Sequence, residues 1–187
     1  MNKKLIGIVL VVVVVIIAAA AMMSSSNNEN GFDHENKKVN AAATTLMVTP
    51  SVFPSGWTAS NVDEAGSEIS GVVSGADRSF VNSGYSQTIL VTLYVYDTVE
   101  NAKAKYADEK ADAETSYSVS SYGKCEQCFK YAISAGMSTM TQYVFQDMNV
   151  YGEIYTLSGV VKISDDLIKN IFNNLEEKIH SSAILIS

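Results

Sequence analysis

Hydrophobic residues recur at two spacings after residue 46, and the spacing predicts which segments are strands and which are helices. Residues 87–97 (QTILVTLYVYD) alternate with period two, which predicts a central strand. One side of this strand would carry Ile89, Val91, Leu93 and Val95. Glycine-containing residues 68–82 and the segment around Trp57 predict further strands. The later alternating runs predict an antiparallel meander with SAGMS and DMN as its turns: residues 127–133, 139–147 and 150–161.

Two segments carry apolar residues at helical spacing. The first begins at Asp97, which we expect to be the N-cap because Glu100 follows three residues later in a capping-box arrangement. The second begins after Ser164, and its apolar stripe comprises Leu167, Ile168, Ile171, Phe172, Leu175 and Ile179. The order of strands, helix, strands and helix predicts the α+β class, with an antiparallel sheet and both helices packed on one face.

The N-terminus carries an uncharged apolar run from Leu5 to Met23. Its nineteen residues would span about 28 Å as a helix, close to the thickness of a bilayer core. We therefore expect residues 1–23 to be a signal anchor, a single-pass transmembrane helix. A cleaved signal peptide is the alternative, with its cleavage site at Ala18–Ala21 and a secreted product. Because Lys3 and Lys4 precede the run, the N-terminus would stay in the cytoplasm and the rest would be extracytoplasmic.

The composition of the chain after residue 23 differs between two segments, residues 24–45 and residues 46–187. Residues 24–45 are polar and without a regular apolar period, which predicts a flexible tether. Residues 46–187 form the predicted α+β domain, with nine Lys or Arg and seventeen Asp or Glu. This acidic balance argues against a nucleic-acid partner, because phosphate binding requires a basic face. The expected partners are the membrane, through the N-terminal helix, and a protein or glycan outside the cell.

The chain has two cysteines, Cys125 and Cys128, in a C-x-x-C arrangement. Thioredoxin-type chemistry places such a pair at a helix N-terminus, whereas a strand pattern follows here. A zinc site needs about four Cys or His ligands, and the two histidines lie apart, His34 in the tether and His180 at the end of the last helix. We expect a Cys125–Cys128 disulfide that stiffens a turn, and a thiol-disulfide oxidoreductase is the alternative function.

Tyrosine is frequent, with ten residues in the chain. Tyrosine joins apolar area to a hydroxyl group, so tyrosines on an open sheet face would suit the binding of a partner or ligand. The sequence contains no catalytic or phosphate-binding motif, so we expect no enzymatic activity, no metal and no cofactor. The candidate binding surface consists of the strand tyrosines Tyr94, Tyr96, Tyr131, Tyr143, Tyr151 and Tyr155.

Several stretches together resemble a known group of proteins. These are the PSGW turn, ILVTLYVYDTVENAKAKY, CFKY, YVFQDMNVYGEIY and the final LEEKI. They are similar to uncharacterised membrane-anchored exported domains of archaea and bacteria, whose folds are like the PsbP-like and LpqN-like α+β sandwiches. The resemblance implies a fold and a location but no functional residues. The expected function is an anchored extracytoplasmic domain that binds a partner at the cell surface, and a structural surface component is a further alternative.

Overall fold

A computed structural model describes residues 37–66, 68–123 and 127–186 of the chain. They belong to one compact unit, His34–Ser187. The main feature of this unit is an eight-stranded antiparallel sheet, accompanied by a separate two-stranded sheet.

The strands follow the alternating segments of the sequence closely. The large sheet has the order β2-β4-β5-β9-β8-β7-β6, and β3 also pairs with β4. The smaller sheet joins the first and last strands, β1 and β10. The strands are β1 (Lys37–Val39), β2 (Thr58–Ala59), β3 (Asp63–Glu64), β4 (Val72–Asn82), β5 (Gln87–Tyr96), β6 (Ser120–Ser121), β7 (Gln127–Ala135), β8 (Ser138–Asp147), β9 (Val150–Ser158) and β10 (Ala183–Leu185).

Three α-helices and one turn of 3-10 helix at Pro50–Val52 complete the unit: α1 (Ala43–Leu46), α2 (Val99–Ser116) and α3 (Asp165–Ser181). Thr98, one residue after the predicted Asp97, caps α2, because its hydroxyl group accepts from the Asn101 amide at 3.1 Å. The Ser164 cap of α3 is confirmed, since its hydroxyl group accepts from the Leu167 amide at 3.2 Å. The predicted apolar stripe of α3 is buried along its whole length.

The predicted fold class is wrong in two respects. The described domain is mostly sheet, an eight-stranded antiparallel sheet with three helices, rather than the predicted α+β class. The two longer helices also pack against opposite faces of the large sheet. The stripe of α3 joins an apolar cluster with Ile89, Val91 and Leu93 of β5. Helix α2 instead joins a second cluster with Tyr96 of β5. These two sides of the sheet are called the α3 face and the α2 face below.

The two-sided arrangement follows from the composition of β5. Ile89, Val91, Leu93 and Val95 form an apolar side that accepts the strongly amphipathic α3. Its even-numbered residues end in Tyr94 and Tyr96, and the chain passes directly from Tyr96 through a short turn into α2. A strand that is apolar on both sides can be covered from both sides, so period-two alternation alone does not decide where a helix packs.

The structure tests the predictions for the N-terminal segment only in part. The predicted transmembrane helix of residues 1–23 lies outside the described residues, and within those residues no helix is long and apolar enough to cross a membrane. The structure contradicts the predicted flexible tether of residues 24–45 in its last part, which is folded into the domain. There β1 pairs with β10, and Val39 and Ala43 are buried in the core. A pairing with the far end of the chain cannot be inferred from local composition.

Candidate functional site

Helix α2 covers only part of its face of the sheet. It packs over the side where β9, β8 and β7 lie together, and Tyr106 meets the Phe129 ring edge-on with centroids 5.4 Å apart. The cluster beneath the helix consists of Tyr96, Ala102, Tyr106, Ala113, Phe129, Tyr131, Val144 and Tyr151. The remainder of this face lies toward β4 and β5.

That remainder, called the open face, is defined by Asp77, Leu90, Tyr155, Leu157 and Glu153. Strand register places them on the same side as Tyr94, because residues directly opposite each other in antiparallel strands point to the same face. Leu90, Tyr155 and Leu157 belong to neither apolar cluster of the described residues. Leu157 is 38% exposed. Half-buried apolar and aromatic side chains therefore lie on a sheet surface that the described helices leave uncovered.

Glu153 occupies the boundary between the covered and the open parts. Its carboxylate accepts from the Tyr151 hydroxyl group at 2.6 Å and from the Gln142 amide group at 3.0 Å. The Gln142 carbonyl oxygen in turn accepts from the Tyr131 hydroxyl group at 2.8 Å. This chain of hydrogen bonds crosses β9, β8 and β7 and fixes the orientation of the carboxylate.

Burial determines the electrostatics of this carboxylate. It raises the pKa of Glu153, and the charge of Glu109 on α2 raises it further. The Tyr151 hydrogen bond and the charge of Lys105 act in the opposite direction. Lys105 itself is engaged, since its ammonium group lies 2.8 Å from the Glu109 carboxylate.

Three carboxylates lie in one row across the sheet. Asp63 of β3 is directly opposite Asp77 of β4, and Asp77 is opposite Thr92, which is opposite Glu153. Two strand spacings place the backbones of Asp77 and Glu153 about 10 Å apart. Tyr94 lies one row away, and the negative charges of these carboxylates affect the pKa of its hydroxyl group. Burial raises its pKa most, and the charges of Glu153, Asp77 and Glu68 raise it further while Lys105 opposes them. The open face is therefore acidic at one end.

Glu153→Gln tests whether the ionised, buried Glu153 carboxylate lowers the stability of the folded domain. A folded-state pKa above the unfolded value of about 4.3 means that the native protein binds the proton more tightly. Wild-type stability should therefore rise as the pH falls through the folded pKa toward about 4.3. Glutamine can accept from Gln142 and donate to the Tyr151 oxygen without this titration. We expect the variant to be more stable than wild type at pH 7, with the difference shrinking as the pH falls.

Urea unfolding of both proteins across that pH range measures the effect. Glu64→Gln, at an exposed carboxylate on the α3 side of β3, is the control and should follow the wild-type profile. A stability difference between wild type and Glu153→Gln that is the same at every pH would contradict the prediction.

The six predicted surface tyrosines do not share one face. Tyr94, Tyr96, Tyr131, Tyr151 and Tyr155 lie on the α2 face, as their strand positions show. Tyr143 lies on the opposite face and contacts Phe172 of α3, with ring centroids 6.1 Å apart. Of the five, Tyr96, Tyr131 and Tyr151 are buried beneath α2, and Tyr94 is half-buried against the same cluster, which leaves the half-buried Tyr155 at the open face.

Neither cysteine provides evidence of redox chemistry. Cys128 is a free, buried thiol on the α3 face, where it belongs to the same cluster as Tyr122 and Tyr143. Cys125 lies outside the described residues. The expected Cys125–Cys128 disulfide and the oxidoreductase alternative therefore receive no support.

One polar pair was not anticipated. His180 at the end of α3 lies 2.8 Å from the carboxylate of Asp147 at the end of β8, and the other Asp147 oxygen has no hydrogen-bond partner among the described atoms. The two residues are 33 positions apart in the sequence, so no local sequence motif predicts the contact. Among the described residues, no group of three or more His, Cys, Asp or Glu side chains is arranged to hold a metal ion. His34 lies outside them.

Comparison with solved structures finds a similar fold. The extracellular domain of PknH from Mycobacterium tuberculosis matches 73% of this chain and 93% of its own chain, with 11% sequence identity and a TM-score of 0.57. At this identity the likeness shows the fold alone. A GTP binding regulator from Thermotoga maritima matches 67% of this chain and 82% of its own with 16% identity, but its TM-score of 0.39 is too low to indicate a shared fold.

No protein-family model matches the chain, and comparison with curated proteins finds no match. The expected resemblance to anchored exported domains is thus supported only at the level of a fold shared with one extracellular domain.

Proposed function

We propose that this protein is an extracytoplasmic, non-enzymatic interaction domain, tethered to the membrane by its N-terminal segment, that binds its partner on the open face. The observation that carries the proposal is the uncovered sheet surface around Leu90, Tyr155 and Leu157, bordered by the fixed carboxylate of Glu153. A contiguous exposed apolar patch rimmed by polar residues is typical of an interaction site.

The extracytoplasmic location rests on two independent features. The apolar run Leu5–Met23 follows Lys3 and Lys4 and is long enough for an export or anchor segment. The fold of the described unit is similar to that of an extracellular domain, that of the mycobacterial PknH. Both features agree with a domain that works outside the cytoplasm, although the similarity in fold alone transfers no ligand or partner.

The dimensions of the open face limit the strength of the interaction. Its defining residues extend over two row intervals along the strands, about 14 Å, and across three strands from β4 to β9, about 10 Å. This area of about 140 Å² is well below that of a stable interface, for which about 800 Å² per partner is usual. The interaction should therefore be transient, with an affinity that surface anchoring or a high local concentration supplements.

Photocrosslinking tests the proposal in the full chain. With p-benzoylphenylalanine in place of Tyr155, irradiation of intact cells should yield a covalent adduct of higher mass on a denaturing gel. With the same photoreactive residue in place of Ala107, which is exposed on the outer side of α2, we expect no adduct of that mass. Mass spectrometry of the adduct identifies the partner.

Two results would overturn the proposal. One is the absence of any adduct from position 155 while the protein is present at its normal level. The other is an adduct whose only component is a second copy of this chain, which would favour a structural, self-associating surface component.

A further inference from the structure

We infer that the partner on the open face is a polypeptide segment that carries basic and apolar side chains together. The inference rests on the proposed function and adds the chemical class of the partner. It follows from the arrangement of two adjacent rows of the sheet, one acidic and one apolar, on a surface that the described helices leave uncovered.

The acidic row is unfavourable for the isolated domain. Asp63 and Asp77 are directly opposite each other on neighbouring strands, a position in which like charges destabilise a sheet. Glu153 extends the same row, and Glu68 contributes to the field at Tyr94. Lys105 is the cation that opposes this field at Tyr94, and it is paired with Glu109. A ligand with positive charge would relieve the repulsion between the carboxylates, so the row favours a cationic partner.

The apolar row argues against a small cation as the whole ligand. Leu90 and Tyr155 are directly opposite each other, one row beyond the acidic row. Leu157 lies in the following row, which also contains Val81 two strands away, with Thr88 between them, and both Leu157 and Val81 are 38% exposed. Successive rows are about 7 Å apart, which is within reach of neighbouring side chains on one peptide. A segment with both lysine or arginine and apolar residues would cover both rows, whereas an isolated ion would leave the apolar row in water.

Charge complementarity also limits the alternatives at a membrane-proximal location. The chain has a net charge of −7, and the open face is acidic, so an anionic lipid surface or a phosphate-bearing ligand would be repelled. A second copy of this chain would bring an identical acidic row to the interface unless the two faces were offset.

Fluorescence anisotropy with the full chain in detergent micelles provides the test. The probe is a fluorescein-labelled peptide of Lys-Leu-Tyr repeats, and its twin has glutamate in place of every lysine. We expect the lysine peptide to bind at least about tenfold more tightly than the twin, with an affinity that falls as salt is added. The double substitution Asp63→Asn and Asp77→Asn should weaken binding of the lysine peptide by about tenfold.

A matched control separates the site from the overall charge. Asp108→Asn with Asp112→Asn makes the same change in net charge on the exposed outer side of α2, and it should leave the affinity within about twofold of wild type. Leu157→Ser, at an exposed apolar position, should also weaken binding of the lysine peptide. Because Asp63→Asn and Asp77→Asn remove a repulsion, the melting temperature of that variant should not fall, so weaker binding would not reflect unfolding.

Three outcomes would overturn the inference: equal weakening by the two double substitutions, equal affinity for the two peptides, or competition by spermidine together with no effect of Leu157→Ser. The last would indicate a small cation. These results are distinguishable from failure of the proposed function. A crosslinked protein partner at position 155 with no preference for the lysine peptide would leave the interaction domain standing and reject only the basic partner.

Discussion

Replacement of Asn149 by alanine should destabilise the domain by about 4 kcal/mol, because it leaves three buried backbone groups without partners. The Asn149 side chain accepts from the Val39 amide at 2.6 Å. It donates to the carbonyl oxygens of Tyr96 at 2.7 Å and Val39 at 3.2 Å. A buried backbone group without a partner costs about 1–3 kcal/mol, and alanine cannot replace any of the three bonds.

The position of Asn149 explains why the effect should extend to the N-terminal segment. The residue lies in the tight turn between β8 and β9, and its backbone oxygen accepts from the Tyr96 amide at 2.8 Å. Its side chain thus links the ends of β5 and β1 to that turn. Chemical denaturation measures the loss of global stability, and hydrogen exchange should show faster exchange of the Val39 amide than of the amides in β5.

Asn174→Ala is the matched control for this substitution. Asn174 on α3 accepts one hydrogen bond, from the Thr49 amide at 3.0 Å, at a partly buried position. Its removal should cost about 1 kcal/mol. If Asn149→Ala destabilised the domain no more than Asn174→Ala, the turn would not hold the N-terminal strand as the contacts indicate.

Sequence periodicity was informative where an element's environment is set by its own residues. The alternation in β5 predicted which residues face the same way, and Ile89, Val91 and Leu93 are all fully buried together. The stripe of α3 was predicted residue by residue, because an amphipathic helix with a Ser164 cap carries its boundary and its buried side in one short segment. Both the strand alternation and the helical stripe are therefore confirmed.

Features that depend on strand pairing could not be predicted from local sequence patterns. Tyr143 and Tyr131 lie in neighbouring strands of similar composition, yet the register Lys130↔Tyr143 places their side chains on opposite faces. The acidic row likewise exists only because β3 pairs with β4 so that Asp63 meets Asp77. A shift of one residue in that register would move one carboxylate to the α3 face, and no signal in the sequence fixes it.

The difference between the expected and observed fold affects the functional argument. Had both helices packed on one side, the entire opposite face would have been open, and all tyrosines of that side would have been candidates for binding. Because α2 and α3 pack on opposite sides, the α3 face is closed by a continuous apolar cluster. The available surface is reduced to the part of the α2 face beyond the helix, where Tyr155 is half-buried.

Gly152→Ala should destabilise the domain by about 2 kcal/mol even though alanine suits a strand better than glycine does. Gly152 of β9 lies between Leu93 of β5 and Phe145 of β8 on the α3 face. A methyl group there would overlap the Phe145 ring and would lie 2.8 Å from Leu93 Cδ2. The Phe145 ring cannot move away freely, because it packs edge-on against Phe172 with centroids 5.5 Å apart. Urea unfolding measures the effect.

A double-mutant cycle identifies the overlap as the cause. Phe145→Leu shortens the side chain that occupies the space above Gly152, and on its own it should destabilise the core through a cavity. In its presence Gly152→Ala should cost less than half as much, because only the contact with Leu93 remains, which gives a coupling energy of about 1 kcal/mol or more. Gly159→Ala is the control, since a methyl group at Gly159 meets no heavy atom within 4 Å, and its effect should stay within about 0.5 kcal/mol. Additive effects of Gly152→Ala and Phe145→Leu would show that the glycine is required for another reason than the close approach of the ring.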